Sequence, residues 1–150
     1  MLDPFAGIGG FTLPIAQAGA TVTAVERTPA VFAYLVENVV RNGVTDSVET
    51  YRASYPEVVA GFAPEREFDR VVVGRHDAHE HLADTLAVLA PGGTAHVHAT
   101  VAKELLPERP TRRVRQAAEE AGRTVDSTAV RRVGNNDKRT SRVVVDAVVA

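Results

Sequence analysis

The 150-residue chain contains no cysteine, which excludes disulfides, thiolate zinc sites and iron–sulfur clusters and fits a cytoplasmic protein. It has no run approaching the roughly 18 apolar residues that cross a bilayer. No basic segment followed by an apolar one opens the chain, so the pattern of a secretory signal peptide is missing. Lysine is scarce: Lys103 and Lys138 stand against 15 arginines. With so much Ala and Val, that bias reads as GC-rich coding rather than function. Internal repeats, low-complexity tracts and linkers are also lacking. What is present fits one soluble domain over residues 1–150, with enough apolar residues (45%) for one core.

Charge is unevenly placed. Residues 1–100 carry 6 basic and 12 acidic side chains, whereas residues 101–150 carry 11 and 7. The basic residues gather at Arg109, Arg112, Arg113 and Arg115, then at Arg131, Arg132, Lys138, Arg139 and Arg142. A solvated helix face plus a charged loop explains this at least as well as a polyanion-facing edge.

Apolar runs alternate with helix-length stretches. Strands are expected at the end of Met1–Asp3, at Thr21–Glu26, Val48–Arg52, Phe68–Gly74 and Thr94–Val101, and in a final pair, Thr124–Val133 and Arg142–Val149. Helices are expected at Phe11–Ala18, from Pro29 to about Arg41, at Ala78–Leu89 before Pro91-Gly92-Gly93, and at Pro110–Ala121. Such alternation predicts an α/β, doubly wound, mostly parallel sheet with helices on both faces and a C-terminal antiparallel hairpin. A central strand usually needs five or six residues, yet only Met1 and Leu2 precede Asp3, so the first strand reads as truncated.

The opening Asp3-Pro4-Phe5-Ala6-Gly7-Ile8-Gly9-Gly10 places an acid at a strand tip, then a glycine turn, then a helix. Gly7 and Gly9 let the backbone turn tightly against a ligand. A dinucleotide fingerprint needs a third glycine where this chain has Thr12, and Asp3 would repel its phosphates. S-adenosylmethionine, with an ammonium and a sulfonium, removes that conflict. Glu26 ends the next strand, where an acid can accept hydrogen bonds from both ribose hydroxyls. The expected cofactor-binding residues are Asp3, Phe5, Ala6, Gly7, Gly9, Glu26, Arg27 and Ser54.

The stretch DPFAGIGGFTLPIAQAGATVTAVERTPAVFAYLVENVVRNGV resembles the tRNA guanine-N1 methyltransferases that act beside the anticodon, and equally their wybutosine-synthesis aminocarboxypropyltransferase paralogues. The resemblance continues through FDRVVVG, AHEHL, APGGTAHVHA, LLPERPTRRV and RVVVD, nearly the whole chain. It implies a seven-stranded, Rossmann-like methyltransferase sheet, S-adenosylmethionine as cofactor and tRNA as partner. It also implies a substrate-recognition region upstream, so the chain is expected to be a C-terminal part, a misplaced start or half of a split protein. The methyltransferase branch carries an Asn-x-Pro type motif after the fourth strand. This chain has Gly74-Arg75-His76-Asp77, which is closer to the aminocarboxypropyl branch, and Gly74 and His76 are the catalytic candidates. Related enzymes often have an Asp near the adenine. Here Ala53 and Ser54 occupy that place, and Ser54 can substitute in part.

Five histidines raise the question of a metal site. His79 and His81 should point to different faces of their helix, whereas His96 and His98 share a face of a strand. Histidines at loops and sheet ends beside a cleft account for the set without a metal. Besides a tRNA-modifying transferase, two readings stay open: a truncated, non-catalytic module that binds S-adenosylmethionine or RNA, and a small-molecule methyltransferase.

Overall fold

The structure is a computed structural model and describes residues 1–62, 65–135 and 137–150. In chain order it holds β1 (Leu2–Asp3), α1 (Thr12–Gln17), β2 (Val22–Val25), α2 (Pro29–Arg41), β3 (Val48–Tyr51), α3 (Tyr55–Phe62), β4 (Phe68–Val73), α4 (Leu82–Leu86), β5 (Leu89–Ala102), α5 (Glu108–Glu120), β6 (Val125–Asn135) and β7 (Thr140–Val149). The strands form one sheet in the order β3-β2-β1-β4-β5-β7-β6. β1 to β5 run parallel, and β7 runs antiparallel to both β5 and β6.

β1 sits at the centre despite its two residues. Leu2 lies opposite Thr23 of β2 and Val71 of β4, and Asp3 opposite Ala24. The strand order reverses beside β1, which opens a crevice at the carboxyl ends of the strands, where ligands of such sheets bind.

Alternation along the strands divides the core. Val22 and Ala24 of β2 face α1 and α2 and pack with Ala16, Leu35 and Val39. Val25 points the other way and joins Val71, Val73, Ala95, Val97 and Val145 beneath α3, α4 and α5. The ends of α2 follow the sequence, with Pro29 at its first turn and Gly43, at φ 66°, just beyond it. On α5, Val114, Ala117 and Ala118 are buried while Arg109, Arg112 and Arg115 face solvent. Those three arginines form the solvated helix face.

Two elements differ from expectation. The helix expected over Ala78–Leu89 is a 3-10 turn at Ala78–His81 followed by the single short helix α4. Sheet pairing competes for the end of that segment, because Phe68 donates its N–H to Val88 O at 2.8 Å. Pro91-Gly92-Gly93 also does not precede the next strand. It lies inside β5, where the partners of Phe68 and Arg70 jump from Leu89 to Thr94 and Gly92 takes φ 77°. The glycines absorb a bulge that propensity alone reads as a stop. β6 is irregular too, with register shifts between Val125 and Ser127 and between Arg132 and Gly134.

Arg123 closes the side of the domain bearing this bulge. Its Nη1 donates to Leu86 O (2.7 Å) and Leu89 O (3.0 Å), and its Nε donates to Ala150 O (2.6 Å). Arg123→Met removes the three bonds together and should lower the free energy of unfolding in urea by about 2–3 kcal/mol. Arg123→Lys should recover only part of it, because one ammonium cannot reproduce the fork.

Candidate active site

The glycine turn after β1 is held on every side. Gly7 and Gly9 adopt φ 57° and 104°, values that side-chain-bearing residues rarely take. A Cβ on Gly9 would also lie 3.0 Å from Leu13 Cγ and 3.3 Å from Leu35 Cδ1. Ala6 donates its N–H to Val25 O and Gly9 to Ala6 O, both at 2.9 Å. Asn38 Nδ2 reaches from α2 to Ile8 O at 2.9 Å.

Asp3 lies beneath this turn, fully buried. Its Oδ2 accepts the Thr12 hydroxyl at 2.7 Å, while Oδ1 lacks a well-aligned donor. Burial raises its pKa to about 6 against the opposing pull of the Thr12 hydroxyl. The carboxylate therefore sits against the first residue of α1.

A cavity of about 510 Å3 opens beside the turn, lined by Phe5, Glu26, Arg27, Ser54 and Tyr55 among others. Glu26 is fixed by the backbone: Oε2 accepts Gly7 N–H at 3.2 Å and Oε1 accepts Thr28 N–H at 2.8 Å. Phe5, Tyr55 and His81 form a ring cluster along one wall, with centroids 4.9, 5.1 and 5.6 Å apart. The Tyr55 hydroxyl donates to Asp84 Oδ2 at 2.9 Å, and burial, followed by that bond, pushes its pKa up. Ser54 caps α3, its N–H and hydroxyl both reaching Glu57 Oε2 at 3.0 and 2.6 Å.

A second cavity, of about 460 Å3, adjoins the first and holds Phe11, Gly74, His76, His98 and Arg142. Arg75 lines both. Phe11 stacks on His98 at 4.7 Å, and a Cβ on Gly74 would lie 2.5 Å from Phe11 Cε2. Burial lowers the pKa of His98, with the charge of His96 adding to the effect. A hollow of about 370 Å3 around Met1, Glu49 and Arg66 lies at the amino ends of the strands, away from the crevice.

Of the expected cofactor residues, Phe5, Glu26, Arg27 and Ser54 line the first cavity. Asp3, Ala6, Gly7 and Gly9 build the turn beside it without lining it, and Gly7 acts through its bond to Glu26. Gly74 and His76 face the second cavity. His79 and His81 diverge, His79 toward Arg113 and Gln116 and His81 into the ring cluster. His96 bonds Asp146 at 2.6 Å instead of joining a metal set. Among the described residues no group of three or more His, Asp or Glu gathers as metal ligands. Arg75 and Asp84 lie outside the expected site residues, while Tyr55, at the end of the segment expected near the adenine, and His81, expected beside a cleft, also line the first cavity. Each lies on or just after an element that ends at the crevice, and that placement was the available signal.

Two outcomes follow from this packing. Asp3 binds its proton more tightly folded than unfolded, so its contribution favours folding at low pH and is lost as pH rises from about 4 through about 6. Asp3→Asn has no such proton. Its stability relative to wild type, measured by urea unfolding, should improve by roughly 2–3 kcal/mol between pH 4 and pH 7.5. Gly74→Ala should cost about 1–3 kcal/mol by displacing the Phe11 ring. Adding Phe11→Leu should recover most of that loss in a double-mutant cycle.

Comparison with known proteins agrees with this architecture. A family model described as the TRM5/TYW2 methyltransferase domain matches residues 1–126. The chain is 33% identical over 150 residues to the tRNA(Phe) (4-demethylwyosine(37)-C(7)) aminocarboxypropyltransferase of Methanocaldococcus jannaschii, covering 98% of this chain and 58% of that protein. The Pyrococcus horikoshii protein of the same name is 34% identical over 128 residues, 84% of this chain and 45% of that one. The chain thus spans about half the length of these curated relatives. The crystal structure of M. jannaschii TYW2 in complex with AdoMet superposes with a TM-score of 0.85 at 33% identity, over 99% of this chain and 67% of that one. The chain belongs to the TRM5/TYW2 methyltransferase domain family.

Proposed function

We propose that this domain binds S-adenosylmethionine in the 510 Å3 cavity and serves a transferase that modifies a guanosine-derived base next to the tRNA anticodon. The observation carrying this reading is Glu26. Its two oxygens are aimed by Gly7 and Thr28 N–H groups and keep lone pairs for a ribose diol. The Phe5–Tyr55–His81 rings offer an apolar wall to a nucleoside. The buried Asp3 carboxylate at the start of α1 disfavours a pyrophosphate and tolerates a sulfonium. These residues fit the cofactor.

When bound, S-adenosylmethionine supplies a positively charged sulfur that makes an attached carbon open to attack by a nucleophile. This chain's part is orientation. Glu26 holds the ribose, the ring wall holds the purine, and Gly74 leaves room for the Phe11 ring in the wall of the second cavity. His76 and His98 face the second cavity, where the acceptor base would sit, and their ring nitrogens can accept a hydrogen bond there. Gly74-Arg75-His76-Asp77 in place of an Asn-x-Pro motif favours aminocarboxypropyl over N1-methyl transfer, as do the two named relatives. The tRNA is proposed as substrate of the whole enzyme, this domain acting with a substrate-recognition region. A tRNA substrate and a cysteine-free chain fit a cytoplasmic location. No helix of the described residues is long and apolar enough to cross a membrane.

Titration calorimetry with S-adenosylmethionine, with NAD as control, should show binding of the first alone. Glu26→Ala should weaken that binding by about 10- to 100-fold, the loss of charge-assisted hydrogen bonds. Absence of binding, or preference for NAD, would overturn the cofactor assignment. Mass analysis of tRNA treated with the whole enzyme separates an added aminocarboxypropyl group from an added methyl, and no addition to tRNA would overturn the substrate assignment.

A further inference from the structure

The second cavity is basic. Arg75, His76, His98 and Arg142 line it, and no acid does among the described residues. The first cavity, by contrast, holds Glu26 and Asp84. Arg75 commits its fork to Asp77, Nε and Nη2 each donating at 2.7 Å. Arg131 does the same with Asp146, at 2.7 and 3.1 Å. Arg142 differs. It stands opposite Thr100 of β5 and Gly134 of β6, where β5 runs on to Ala102 past Val97, the last partner of β4. Its side chain is exposed, and among the described residues its guanidinium meets no carboxylate and donates no hydrogen bond. Gly134 makes the place for it. β6 breaks register between Arg132 and Gly134, and a Cβ on Gly134 would lie 2.8 Å from Arg142 Nη2 and 3.2 Å from Nε. The guanidinium thus lies over a glycine in the cavity wall with its donors unused.

We propose that Arg142 binds a phosphodiester beside the acceptor nucleotide and so positions its base in the second cavity, an assignment that rests on the tRNA reading above. A guanidinium meets the two non-bridging oxygens of a phosphate with two parallel N–H bonds. A carboxylate in this wall would occupy the fork and repel the phosphate, and the described wall has none. Phe11, one of the large apolar side chains left exposed, packs on His98 in the same cavity with ring centroids 4.7 Å apart. Those rings offer an aromatic surface to an unstacked base. Phosphate contacts fix register and orientation and carry no base identity of their own. Arg142 therefore sets where the RNA backbone crosses the projecting ends of β5 and β7, and the rings receive the base.

The test uses the whole enzyme with S-adenosylmethionine and a fluorescent anticodon stem-loop RNA bearing guanosine at the acceptor position, read by anisotropy. Arg142→Gln should raise the dissociation constant about tenfold. It should also flatten the slope of log affinity against log salt by about 0.7, the share of one phosphate on a single strand. Arg142→Lys keeps the charge without the fork and should recover part of the affinity. A methylphosphonate in place of one phosphodiester removes a single charge from the RNA. At one of the two positions flanking the acceptor it should weaken wild type about tenfold and Arg142→Gln by no more than about twofold. In the stem it should affect both proteins alike. Calorimetry should give both the same affinity for S-adenosylmethionine within about twofold. An unchanged RNA affinity in Arg142→Gln, or a loss coupled to neither flanking phosphate, overturns the phosphate role and leaves the substrate reading standing. A parallel loss of S-adenosylmethionine affinity overturns it too, by assigning the fork to the cofactor or to the fold. Failure of wild type to bind the RNA overturns the substrate reading, and the role of Arg142 falls with it.

Discussion

A buried carboxylate at the tip of the central strand constrains the arrangement around it. Asp3 ends β1, meets Thr12 at the first residue of α1, and lies beneath the glycine turn between them. A charge in that position is costly unless it is bonded, and one hydroxyl satisfies only half of it. The chain therefore has little freedom there: the strand tip, the turn and the helix start must stay in register to keep the bond. At the end of the next strand, Glu26 stands at the cavity with both oxygens held by backbone N–H groups.

The wall of the second cavity rests on a small steric arrangement. Phe11 lies between Gly74 and His98, close enough that one methyl group on Gly74 would collide with its ring. The glycine after β4 thus has a packing reason at negative φ, unlike Gly7 and Gly9, whose positive φ carries theirs. Arg75, one residue further on, lines both cavities.

How much was legible in the sequence depended on how local the cause was. Pro29 and Asn42-Gly43 bound α2 by rules acting within a turn, and the alternation of strands and helices was enough for the seven-stranded sheet with its antiparallel hairpin. The helix expected over 78–89 failed because a distant partner, β4, draws Val88 into sheet pairing. No window around Pro91-Gly92-Gly93 contains that information. At the site, Glu26 and Phe5 were readable from their places beside the glycine turn. Asp3 was readable as important, but its direction was not, since only packing decides whether a strand-tip acid faces a cavity or a hydroxyl below it. Tyr55, Arg75, His81 and Asp84 come from three separate segments, and their meeting is a property of the assembled crevice.

The irregular outer strand has a consequence for molecules meeting one another. β6 is the long edge of the sheet, since the other edge, β3, has only four residues. A flat edge of eleven residues would offer an unfinished ladder to any neighbour. Two register breaks bend this one, and Arg131 and Arg132 stand exposed along it. A bent edge carrying the exposed Arg132 is a poor template for strand-by-strand growth into fibrils.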